Sequence, residues 1–166
     1  MKQVILFFLF FLAALACRRP AEEPTRAVDI VKKYIRAVET MDYGTMDSLL
    51  APGYVGYGPS YGDSVTRKTA LENWKYNITH LYDSIRYTRS RQVAVTLTDG
   101  PDPGTWVSNW GEVHITYRDG NQVILWINST YKIEKDRIVK SYTFYNEADA
   151  LRQLGYVFCR PEDLKE

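Results

Sequence analysis

His114 and Glu112 stand two positions apart in a run of β-branched and aromatic residues, a spacing that puts both side chains on one face of a strand. A histidine beside a carboxylate can exchange a proton near neutral pH, with the glutamate orienting the ring or acting itself. A glutamate turned into a covered cavity also needs a partner or a ligand, because burying its charge alone is costly. Tyr34, in an amphipathic helical stretch, could donate its hydroxyl to a carbonyl or enolate oxygen. His114, Glu112 and Tyr34 are therefore the candidate catalytic residues. Other chemistries find less support. Neither Cys17 nor Cys159 adjoins a histidine, so no cysteine nucleophile is expected. His80 and His114 fall on different elements without ligand spacing, so no metal site is expected. Gly56-x-Gly58 lacks the strand-glycine-helix context of a nucleotide loop, and no cofactor is expected.

The elements that must position these groups are legible from periodicity. Ala27, Ile30, Val31, Tyr34, Val38 and Met41 recur at helical steps; a second short helix fits Tyr43 to Leu50, stopped by Pro52-Gly53. A third starts near Ser64 or Thr66 and runs through Ala70, Leu71, Trp74, Ile78 and Leu81, after a glycine- and tyrosine-rich strand and loop at 54–62. Residues 85–97, 105–117, 121–134 and 137–145 read as strands, so the fold class is α+β with the helices on one face of a mainly antiparallel sheet. If Asp119-Gly120 is a two-residue hairpin turn, Arg118 faces Asn121. One face then carries Trp110, Glu112, His114 and Thr116 beside Leu125, Ile127 and Ser129. That mixed face, enclosed by helices, is the expected lining of a small-molecule cavity, with Trp74 as a wall from the third helix. The opposite face, with Val113, Ile115, Ile124 and Trp126, is apolar and is expected to pack on a second copy of the chain.

The composition narrows the class of partner. Hydrophobic residues make up 45% and charged residues 25% of 166, ordinary usage for one globular domain. With 21 Lys and Arg against 20 Asp and Glu there is no basic field to hold a nucleic acid, which is excluded as an expected partner. Residues 1–16 have the form of a secretory leader: Lys2, an apolar run, then Ala14-Leu15-Ala16 before Cys17. The run falls short of the about 20 residues that span a bilayer. Ala13-Ala14-Leu15-Ala16-Cys17 also resembles a relaxed bacterial lipobox, in which Cys17 becomes the acylated N-terminus; ordinary signal cleavage at the same bond is the alternative, with a soluble periplasmic or secreted product. Residues 17–24 then form the lipidation site and a proline-bearing tether, 25–158 the domain, and 159–166 a tail. Membrane attachment is expected through the lipid only, in the bacterial cell envelope.

Several of these features converge on a family. Met41-Asp42-Tyr43-Gly44, the following Leu49-Leu50-Ala51-Pro52, a third helix bearing Trp74 and four long strands resemble the nuclear transport factor 2-like superfamily. Its fold is a cone-shaped α+β barrel, a curved sheet wrapped around three N-terminal helices. Tyr131 to Ile138 resembles the strand-turn-strand pattern of that superfamily. The segment Asn146 to Gly155, with Arg152-Gln153-Leu154-Gly155, is similar to the closing segment of SnoaL-like polyketide cyclases. The resemblance spans roughly residues 25 to 155. Laid on the ketosteroid isomerase pattern, it puts Tyr34 at the helix tyrosine, Gly58 where the general-base Asp should stand and Ser129 at the oxyanion Asp. The acid/base Asp of SnoaL-like cyclases also falls near Ser129, so neither mechanism transfers intact. At Glu134-Lys135-Asp136 a three-residue turn would place Ser141, Thr143 and Tyr145 on the pocket face, and a two-residue turn Lys140, Tyr142 and Phe144; the resemblance favours three.

Three functional readings follow. The leading one is an exported, lipid-anchored domain binding a small, partly apolar molecule in its cone. The second is a SnoaL-like isomerase, cyclase or hydrolase using His114 or Glu112 for proton transfer. The third is a structural module whose sheet dimerises around a plain core.

Overall fold

The computed structural model describes residues 22–163. The leader, Cys17 and most of the tether lie outside the described residues. Helix α1 (Glu22–Glu39) lays Ala27, Val31, Tyr34, Ile35 and Val38 on the sheet and leaves Arg26, Lys32 and Arg36 in solvent. It ends with Met41 in the left-handed region (φ 54°), where the Asp42 N–H reaches back to the Ala37 carbonyl at 2.8 Å. The Asp42 carboxylate then caps α2 (Tyr43–Leu49) by accepting from the Thr45 N–H at 3.0 Å.

Strand β1 (Leu50–Tyr57) begins one residue after α2, so Pro52-Gly53 lies within the strand instead of stopping the helix. A short strand β2 (Ser64–Thr66) follows, capping α3 (Arg67–Tyr76) through Thr66. A wide helical turn at Asn77–Leu81 leads into β3 (Tyr82–Leu97), then β4 (Gly104–Tyr117), β5 (Gln122–Glu134), β6 (Arg137–Tyr145) and a last helix α4 (Glu147–Gln153). The strands form one six-stranded sheet in the order β2-β1-β6-β5-β4-β3, antiparallel except for β1 beside β6. The α+β cone expected from the sequence is present, as an open curved sheet and not a closed barrel.

Two turns fix which residues look inward. The β4–β5 turn has three residues, Arg118-Asp119-Gly120, with Gly120 at φ 90°. Tyr117 and Asn121 face each other, the Tyr117 N–H donating to the Asn121 carbonyl at 2.8 Å. The two-residue turn expected from Asp119-Gly120 is therefore one residue short, and a slip of one residue exchanges the faces of a strand. Val113 pairs with Leu125 and Ile115 with Val123 on the inner face; Glu112 pairs with Trp126 and His114 with Ile124 on the outer face. Trp110, Glu112, His114 and Thr116 thus leave the cavity side, while Val113 and Ile115 leave the expected dimer face.

The β5–β6 turn has two residues, Lys135-Asp136, both in the left-handed region, with Glu134 facing Arg137. A three-residue turn was expected there. A bulge supplies the missing residue: Ile133 pairs with Ile138 but Lys132 with Lys140, so Val139 is extra. Ser141, Thr143 and Tyr145 consequently point inward, through a bulge in the strand and not a longer turn.

Sheet curvature comes from such irregularities. On β3 the register shifts between Thr88 and Arg91, with Arg89 at φ 53°. Gly111 lies against that bulge: a Cβ there would sit 2.9 Å from the Thr88 carbonyl oxygen and 3.0 Å from the Ser90 Cα. Both are backbone atoms that cannot swing aside. Gly111→Ala is expected to destabilise the domain by about 1–3 kcal/mol in a urea titration, the usual cost of overpacking. Gly53→Ala, with nothing within 4 Å, should stay within about 0.5 kcal/mol; equal effects would contradict this account of the curvature.

Candidate functional site

The pair that looks most reactive in the sequence does come together, on the outer face. His114 Nε2 lies 2.7 Å from Glu112 Oε1, the Thr88 hydroxyl donates to the same oxygen at 3.0 Å, and Arg89 sits 3.4 Å from Glu112 Oε2. The His114 and Thr88 hydrogen bonds hold the Glu112 carboxyl below its ordinary range, with Arg89 adding to them. The neighbours of this cluster are the exposed Trp126 and Ile124 across the strand pair, and Trp110, Trp126 and Phe144 line an open hollow on this outer face. Trp110 and Thr116 share this face.

The cavity is on the other side. It encloses about 690 Å³ between the helices and the concave face of the sheet. Tyr34 and Trp74 reach it from α1 and α3, Leu125, Ile127 and Ser129 from β5, and Ser141, Thr143 and Tyr145 from β6. Gly58, the position of the absent general base, lines it as well.

Eight tyrosines line this space, of which the sequence singles out Tyr34 and Tyr145 and not the other six. A deep group comprises Tyr34, Tyr54, Tyr87 and Tyr131. The Tyr54 hydroxyl and Ser141 Oγ are 2.6 Å apart, Ser129 Oγ and Thr143 Oγ1 3.1 Å, and the Tyr34 and Tyr131 rings meet edge to face at 5.9 Å. Burial raises all four phenols, and most strongly Tyr34, Tyr87 and Tyr131; neighbouring phenols push these three further up. They are neutral hydrogen-bonding groups at any physiological pH. A second group, Tyr82, Tyr117 and Tyr145, stands toward the rim, with Tyr82 pushed up to about 12, first by burial and then by its two neighbours. The signal for the missed Tyr131 and Tyr117 is period-two spacing from residues already placed inward, as in Ser129-x-Tyr131, and for Tyr117 it needs the correct hairpin register.

The rim is assembled by α4 and the loop after β1. Gln153 accepts from the Ile124 N–H and donates to the Ile124 carbonyl, both at 2.9 Å, mimicking a strand residue where β6 has ended. Asn146 caps the helix by accepting from the Asp149 N–H at 3.0 Å. So seated, α4 places Glu147 at the opening, where its carboxylate accepts from the Ser60 hydroxyl at 3.1 Å. Asp63 is the other carboxylate of the lining, and like Glu147 it is exposed. Among the described residues no cluster of His, Cys, Asp and Glu could hold a metal ion. Cys159 is a free, exposed thiol.

No family model matches the chain, and no curated protein matches it in sequence. Solved structures do match in fold. A candidate polyketide cyclase from Xanthomonas campestris pv. campestris superposes with a TM-score of 0.66 at 17% identity, over 79% of this chain and 98% of that one. An LEH-like epoxide hydrolase of M. tuberculosis gives 0.62 at 16%, over 80% and 91%. A protein of ketosteroid isomerase-like fold from Catenulispora acidiphila, solved in complex with trimethylamine, gives 0.58 at 14%, over 82% and 97%. The chain has the nuclear transport factor 2-like fold shared by SnoaL-like proteins.

Proposed function

We propose that this domain is exported, lipid-anchored in the bacterial cell envelope, and holds a small, partly apolar molecule in its cavity through phenol and hydroxyl groups. The carrying observation is the cavity itself: about 690 Å³, within the roughly 300–1,000 Å³ of small-molecule sites, where a plain core would be close-packed. Apolar walls from Val113, Leu125 and Ile127 give affinity, and the hydroxyls of Tyr34, Ser129 and Thr143 give orientation. The neighbour solved with trimethylamine supports a small organic occupant.

Binding is favoured over catalysis by where the acid-base groups lie. Glu112 and His114 face away from the cavity, and the positions matching the ketosteroid isomerase carboxylates are Gly58 and Ser129. The lining carboxylates, Asp63 and Glu147, stand exposed at the rim and not beside the deep hydroxyls. Tyr34 keeps its role as a hydrogen-bond donor to a bound oxygen.

The outer face suits a second copy of the chain. Trp110, Ile124, Trp126 and Phe144 are exposed on it, and Glu112 lies among Arg86, Arg89 and Arg91 of the adjacent strand. A patch with an apolar centre and both signs of charge is self-complementary under a two-fold axis.

In calorimetry, the neutral probe para-tert-butylphenol is expected to bind at one site, and cavity-filling Ile127→Trp and Ser129→Leu, checked for wild-type melting, should each abolish it. Binding unchanged in both would place the ligand elsewhere and contradict the proposal. Mass spectrometry of the mature protein should find acylated Cys17 at the N-terminus; an intact leader or a bare cysteine would remove the anchor. Light scattering should give twice the monomer mass, lost on Trp126→Asp, whereas a monomeric wild type would remove the dimer.

A further inference from the structure

The cavity lining has a one-sided charge pattern. It includes no lysine, arginine or histidine, whereas Asp63 and Glu147 stand at its rim. Arg118, next in sequence to the lining Tyr117, donates to the Ile78 carbonyl at 3.0 Å, and Arg152 lies 5.9 Å over the Phe158 ring. His80 stacks on Tyr76 outside the lining, with ring centroids 4.7 Å apart. An anion entering this space would meet two carboxylates and no counter-charge. The raised phenols add no charge of their own, so the field at the opening comes from the two carboxylates.

Beside Glu147 the rim tyrosines form a corner. Tyr82 and Tyr117 meet at 81° with ring centroids 5.4 Å apart, and Tyr145, from the strand that leads into α4, lines the same part of the cavity. An aromatic ring is negative on its face, and a cation within about 6 Å of that face is attracted by about 0.5–2 kcal/mol, more as water is excluded. A quaternary or tertiary ammonium suits such a corner, because its charge is spread over methyl groups that shed water easily. A primary ammonium or a guanidinium would ask for several fixed acceptors instead.

We propose that the occupant is an organic cation of the alkylammonium class, its head held in the corner of Tyr82, Tyr117 and Tyr145 beside Glu147, and its apolar remainder in the deeper cavity. This rests on the reading of the cavity as a small-molecule site, and goes beyond it by assigning the ligand's charge and the end at which that charge sits.

Three probes of nearly one shape separate the two claims: para-trimethylammoniophenol, neutral para-tert-butylphenol and anionic para-tert-butylbenzoate, titrated by calorimetry. The cation is expected to bind at least about tenfold more tightly than the neutral phenol, and the anion most weakly. Glu147→Gln and Tyr117→Leu should each weaken the cation about two- to fivefold while changing the neutral phenol less than about twofold, and Tyr117→Phe, which keeps the ring, should restore cation binding. A neutral phenol that binds as tightly as the cation, or an anion that binds best, would overturn the charge assignment and leave the cavity reading intact. Failure of all three to bind would overturn both.

Discussion

The register of the β4–β5 hairpin governs the chemistry of both faces of the sheet. Gly120 adopts a positive φ at the third position of the turn, and Tyr117 closes it on Asn121. With side chains alternating along each strand, that single extra residue decides whether Glu112 and His114 or Val113 and Ile115 meet the helices. The observed choice buries Val113 and Leu125 and leaves Trp126 in solvent. It separates an inner surface of phenols, hydroxyls and aliphatic groups from an outer one carrying the acid-base pair and the exposed Trp110 and Trp126.

The cavity persists because its walls are held from several sides. The bulge opposite Gly111 and the one at Val139 are the register breaks that let the sheet curve around the cavity. Hydroxyl pairs such as Tyr54 with Ser141 and Ser129 with Thr143 satisfy polar groups that collapse would otherwise strand. Gln153 ties α4 to the free edge of β5, which fixes the helix bearing Glu147 across the opening. Position and charge at the rim thus follow from one side-chain amide reading one backbone position.

Helical periodicity and the β-branched runs made most of the elements legible before any coordinates, and the order of motifs pointed to the fold. What failed did so for identifiable reasons. Asp119-Gly120 suits a two-residue turn and also the end of a three-residue one, and local sequence does not choose between them. At β5–β6 the turn length was misjudged, yet Ser141, Thr143 and Tyr145 face inward because the Val139 bulge, invisible in a pattern of alternating residues, restores their parity. Strand β2 was hidden by its three-residue length and by Thr66, which looks like a helix cap and is one. Glu112 and His114 adjoin because residues two apart share a strand face under any register, while which face they share depends on the length of the turn.

A fold of this kind does not dictate a reaction, and here Glu112 and His114 point away from the cavity. In the proposed binding, recognition rests on shape, phenol hydroxyls and the aromatic corner beside Glu147. The most direct measurement is the pattern of nuclear Overhauser effects between the N-methyl protons of para-trimethylammoniophenol and assigned aromatic protons of the protein. Contacts to the rings of Tyr82, Tyr117 and Tyr145 are the predicted result, and contacts to Trp110 and Trp126 on the outer face would contradict it.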